Sequence, residues 1–193
     1  MSDMAMVYRC PVGVMRQSVK PQLASGDRAG RPGQVKLARF LAHVDAIAAP
    51  VLTAVRSRVA VELIVGFSDG VSLIDGGHDL GSYLFPVAAR LGPARVAAIF
   101  GRKICGPSSL AVGPAQLDPA GTAPQFSTRM AGSCEREEWK QQLHDRLGVQ
   151  AAIIDPGPAG LTIALRTGPG RNWASLAEPL IDAFGPVLGE DPA

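Results

Sequence analysis

Two stretches of this chain, 93 residues apart, carry the same spacing of serine, proline and glycine, and that repetition narrows the folds open to it more than any other feature. Asp79 to Gly92 and Asn172 to Gly185 coincide at Ser82 and Ser175, at Pro86 and Pro179, and at Gly92 and Gly185. A residue type that favours helix N-caps opens each copy, and a glycine of the kind that ends helices closes it. Each copy also follows a β-rich run, Arg58 to Phe67 in one case and Leu161 to Arg166 in the other. The pattern predicts one strand-to-helix unit used twice. The expected fold class is α/β (α+β), a mixed β-sheet with helices packed on it and two related strand-helix halves. The halves cover about 58–115 and 135–193, and a Pro/Gly-rich linker, 113–132, joins them within a single domain, 1–193.

A chain of 193 residues, 47% apolar and 19% charged, can bury one sizeable core. As a sequence it shows no apolar run of the ~18–20 residues that cross a bilayer, and its start, Met1 to Met6, lacks the basic and apolar regions of a signal peptide. A cytoplasmic location and no membrane partner are therefore expected. Cys10, Cys105 and Cys134 lie far apart without a Cys-x-x-Cys pair, which supports neither a disulfide framework nor a structural zinc site.

The net charge of +2 conceals an asymmetry: residues 1–58 carry +6 and the remainder −4. A basic amino-terminal third suits an anionic partner such as DNA, with Lys20, Arg28, Arg31, Lys36 and Arg39 as the candidate phosphate contacts; a solubilising surface is the alternative.

Along the chain, Met6 to Met15 resembles an edge strand interrupted by Pro11 and Gly13, and Ser18 to Gly33 a basic loop. Apolar residues from Phe40 to Val55 recur at three- and four-residue steps, which predicts an amphipathic helix from about Gln34 to Val55, kinked at Pro50. Val59 to Phe67 is apolar at nearly every position except Glu62 and reads as a central strand covered on both faces. The first copy of the repeat then supplies a helix, and Arg95 to Phe100 and Ser109 to Val112 two further strands, completing a β-α-β-β core. A helix opening near Ser133 and ending at Gly148 comes next, then a hairpin of Val149 to Ile154 with Leu161 to Leu165, then the second copy. Pro86 and Pro179 are both expected near a helix start.

No Gly-x-x-x-x-Gly-Lys-Ser/Thr phosphate loop, Gly-x-Ser-x-Gly elbow or His-Glu-x-x-His zinc helix occurs, which argues against the common nucleotide hydrolases and serine hydrolases. Asp75, His78 and Asp79 cluster where a buried strand gives way to a helix, the place where α/β folds hold ligands. Two carboxylates and an imidazole suit a divalent ion; equally, Asp79 suits a helix cap, with His78 and Asp75 on the surface of a turn. Lys103, placed after the following strand, could approach the same mouth.

Both repeats resemble worn versions of the motif Asp-x-Asp-Asn-x-x-Lys, followed by Asp-Ala-Leu, that characterises RusA-like Holliday-junction resolvases. Asp79 would take the leading aspartate in the first copy, and Asp182-Ala-Phe184 would stand at Asp-Ala-Leu in the second, with Glu190 and Asp191 near the trailing acidic pair. The order from Val59 to Val112 of strand, acidic turn, helix, lysine-bearing strand and strand is also similar to that family. The resemblance implies Asp79, Lys103 and Asp182 as the catalytic set. It departs at Gly81, Ser82 and Phe85 in one copy, and at Asn172, Ala174, Ser175 and Glu178 in the other. Phosphodiester cleavage needs several carboxylates on magnesium, so the departures imply a scaffold kept without most of its nuclease site. No cofactor is expected, and magnesium only if a nuclease site survives.

Three functions of different class follow as expectations. One is a catalytically degenerate RusA-like protein acting in nucleic-acid metabolism or defence by binding DNA. Another is a self-associating or partner-binding assembly protein, a homodimer for instance, using its apolar helices with Trp139 and Trp173. The last is a small-metabolite enzyme working at the mouth near Asp79.

Overall fold

The protein, seen in a computed structural model, is described over residues 6–22, 31–71, 73, 79–119, 128–133, 136–151, 167 and 173–184. In chain order its elements are β1 (Gln17–Ser18), α1 (Pro32–Ala54), β2 (Val59–Phe67), α2 (Gly81–Leu91), β3 (Val96–Cys105), β4 (Ser109–Pro114), α3 (Glu137–Ala151), a 3₁₀ turn (Trp173–Leu176) and α4 (Ala177–Phe184). The chain divides into two compact units, Met6–Pro119 on one side and Met1–Ala5 with Ala120–Ala193 on the other. The division falls inside the Pro/Gly-rich stretch 113–132.

In the first unit a mixed four-stranded sheet has the order β1-β4-β2-β3, with helices packed on it. The unbroken apolar run of β2 suits the centre of a sheet, where both faces are covered. Val59, Val61 and Leu63 are fully buried there. β2 pairs in parallel with β3 and antiparallel with β4. A parallel neighbour requires a crossover, and α2 supplies it.

Beyond β3 the chain crosses β2 to reach β4 on its other side. Gly66 makes that crossing possible because a β-carbon there would collide with the Gly106 main chain; the Gly66 amide donates to Ser108 Oγ at 2.8 Å, and the Gly106 amide to the Phe67 carbonyl at 2.9 Å. β3 is longer than the run Arg95 to Phe100 suggested, because pairing with β2 carries it through Gly101, Arg102 and Lys103 to Cys105. Lys103 therefore lies within the strand rather than after it.

Helix α1 buries Phe40, Val44 and Ala48, at four-residue steps, and packs on β4 and α2. Arg95 closes its far end, donating from Nη2 to the carbonyls of Leu52 at 3.0 Å and Val55 at 2.7 Å. As a helix, α1 is long and apolar enough to cross a bilayer, with 23 residues and a mean hydropathy of 1.4 over an 18-residue window. The expectation that no such run exists is corrected on this point, since Arg39 and Asp45 interrupt that stretch of the sequence without lowering its average enough.

The amino-terminal edge strand is also corrected. Tyr8 makes only an isolated bridge with Leu117, and the chain turns at Gly13 with a φ of +72° before the two-residue β1 pairs with β4. Pro11 has no amide hydrogen to give a ladder, which explains why pairing fails there.

In the second unit, Trp139, Leu143 and Leu147 of α3 bury together with Leu176, Leu180 and Ala183 of the last turn and helix. Helix α3 passes through Gly148 to Ala151, so Val149 does not begin a hairpin strand. A glycine within a helix costs only ~1 kcal/mol, which packing readily offsets. Leu161 to Leu165, the other hairpin strand, lies outside the described residues. The two repeat copies are both helical at their carboxyl ends, yet Gly81–Leu91 is one α-helix while Trp173–Leu176 is a 3₁₀ turn. Pro86 stands in the middle of α2, not at its start.

Candidate nucleic-acid interface

Three of the five basic residues proposed from the sequence share one cleft. Val19 hangs from the sheet through its amide, which donates to the Ser108 carbonyl at 3.3 Å, so its side chain is buried while Lys20 stands exposed beside it. Across from it, Lys36, Arg39 and His43 recur at steps of three and four on α1, which places them on one helical face. The cleft between them holds about 440 Å³, with Val19 and Phe40 among its walls and Lys20, Lys36, Arg39 and His43 lining it. Among the described residues no carboxylate lines it. Arg31 is exposed at the N-cap of α1, and Arg28 lies outside the described residues. His43, exposed on the polar side of α1, carries no sequence signal that would mark it as a cleft residue.

The residues assigned to catalysis are placed differently. Asp79 accepts hydrogen bonds from the Gly81 amide at 3.1 Å, the Ser82 amide at 2.8 Å and Ser82 Oγ at 3.1 Å. This is the geometry of a helix cap, with both carboxylate oxygens engaged by α2. Lys103 donates from Nζ to the Leu73 carbonyl at 3.0 Å. Asp182 belongs to the other compact unit, and its side chain is outside the description. Asp75 and His78 are outside it too. Among the described residues no three His, Cys, Asp or Glu side chains gather as a metal site would require.

One buried charge was not foreseen as a centre of interactions. Glu62 on β2 is 4% exposed, in ion pairs with Arg16, from the segment leading to β1, and with Arg102 of β3 at 3.4 Å. Cys10 hydrogen-bonds to the same carboxylate; burial, and then Glu62, push its thiol up to about 11. These contacts fasten residues 10–16 to the sheet, where Val14 and Pro11 also pack over Gly113. Trp139, expected on an association surface, is instead 7% exposed inside the second unit's core, because α3 and α4 need a large apolar group between them.

No family model, curated protein or solved structure matches this chain.

Proposed function

We propose that the chain binds nucleic acid through the cleft of Lys20, Lys36 and Arg39, as a catalytically degenerate RusA-like protein of nucleic-acid metabolism or defence. The observation that carries this reading is the convergence of basic side chains from two separated segments on one cleft that, among the described residues, no carboxylate lines. Phosphate backbones are bound by such clusters through release of condensed counterions. The degenerate part of the reading draws on Asp79, whose carboxylate serves the amides of α2. Magnesium enters only if a nuclease site is completed elsewhere in the chain.

The test is fluorescence anisotropy with branched and linear DNA, with and without magnesium, at two salt concentrations. Three phosphate contacts give a slope of log affinity against log salt of about −2 to −3. DNA that stays intact in magnesium fits the degenerate reading. Absence of binding at low salt overturns the proposal.

A second reading has its own support. Met6, Val12, Met15 and Leu117 are exposed apolar residues, from 53% to 77%, and this suits a self-associating or partner-binding protein. Sedimentation would show a dimer if it is right, and a monomer at all accessible concentrations if it is wrong.

A further inference from the structure

The cleft combines two chemistries that a duplex does not use together. Val19 and Phe40, 5% and 4% exposed, close its base, and the aliphatic stems of the exposed Lys36 and Arg39 leave apolar surface open above them. Around that base stand two ammonium groups, a guanidinium and an imidazole. A duplex presents phosphates and keeps its base faces stacked inside, so the apolar part would stay unused. A single strand offers an unpaired base between two phosphates, and guanidinium and imidazole planes both stack on bases.

Dimensions agree with this. The 440 Å³ space lies in the lower part of the ~300–1,000 Å³ range of small-molecule sites, enough for a base with its sugar. Lys36 and His43 are seven residues apart on one helix, about 10 Å along its axis, so phosphate and base contacts have separate places along the cleft.

We propose that the cleft is a single-strand site: one unpaired base packs against the Arg39 guanidinium, its aliphatic stem and the His43 imidazole, while Lys20 and Lys36 take the flanking phosphates. This rests on reading the cleft as a nucleic-acid interface.

Anisotropy on the full chain decides it, using a labelled single strand, the length-matched duplex, inorganic polyphosphate as competitor, and anionic vesicles in a parallel sedimentation arm. The single strand should bind at least ~10-fold more tightly than the duplex, the effect of one stacked base. His43→Ala, a change at an exposed position, should weaken single-strand binding several-fold more than duplex binding. Lys36→Gln with Arg39→Gln should weaken both ligands, with circular dichroism confirming the fold. Equal affinity for the two DNA forms, or polyphosphate competing as well as the strand, overturns the single-strand proposal while the nucleic-acid reading stands. Binding to neither form, or to vesicles alone, overturns both.

Discussion

The carbonyl oxygen of Gly106 lies 1.9 Å from the point where a β-carbon on Gly66 would sit. The connection from β3 to β4 runs over β2 at this point, backbone against backbone. Gly66→Ala should therefore cost at least ~3 kcal/mol, because the obstacle is a main-chain group whose own amide is tied to the Phe67 carbonyl and must be displaced with it. Gly113→Ala meets side chains rather than backbone, Val14 Cγ1 at 2.7 Å and Pro11 Cβ at 3.6 Å, and should cost less, about 1–2 kcal/mol. Urea unfolding midpoints of the two variants check the ranking; equal losses would show that the crossing is not tight.

Glu62 offers a second measurement. Arg16 and Arg102 both reach it, and both keep part of their surface in water, so each pair is worth less than a fully buried one. Arg16 is the closer partner and comes from the segment that must be held to the sheet. Arg16→Ala should cost about 1–3 kcal/mol and raise hydrogen exchange over residues 8–19, with Arg102→Ala costing less. Exchange unaltered in that segment after Arg16→Ala would contradict the fastening role.

Asp79→Ala should destabilise by ~1 kcal/mol through loss of the α2 cap, and Asp79→Asn by much less, since both residue types cap well. Neither should alter DNA affinity. A large loss of binding with unchanged thermal stability would return Asp79 to the functional residues.

The Cys10 thiol, pushed up to about 11 by burial and by Glu62, is protonated at neutral pH. Iodoacetamide should label exposed Cys105 first and reach Cys10 slowly, with a rate that climbs as pH approaches 11. The sign for stability follows from the same shift. A raised folded-state pKa contributes stability that is intact below the ordinary value of 9.0 and disappears as pH rises through about 11. Alkaline titration followed by circular dichroism, with Cys10→Ser for comparison, tests this; identical profiles for the two proteins would count against it.

Leu143 is 2% exposed where α3 packs on α4, and Leu143→Ala should cost about 2–5 kcal/mol of the second unit's stability. Limited proteolysis should then cut that unit first. Cleavage beginning in residues 59–114 would show that the unit's core does not depend on this contact.

Much of the sheet unit was legible. The nine residues of β2 end where their apolar, β-branched run ends, and the stripe of Phe40, Val44 and Ala48 reports α1 by its period. The candidate site was legible only in part. Lys20, Lys36 and Arg39 stood out by charge, but nothing local shows that Lys20 returns beside α1, or that His43 joins them. The residues assigned to catalysis illustrate the opposite limit. A carboxylate ahead of a helix reads alike as a cap or as a ligand, and only the hydrogen bonds to Gly81 and Ser82 give Asp79 its place.

What the residues settle alone is short-range: periodicity, caps, and the glycines and prolines that break a ladder, because these depend on neighbours within a few positions. Tertiary structure decided that β3 continues through Arg102 and Lys103, that Gly66 lies beneath Gly106, and that Glu62 receives Arg16 and Arg102. Each of those joins groups distant along the chain, and their energies arise only when the sheet has assembled around them.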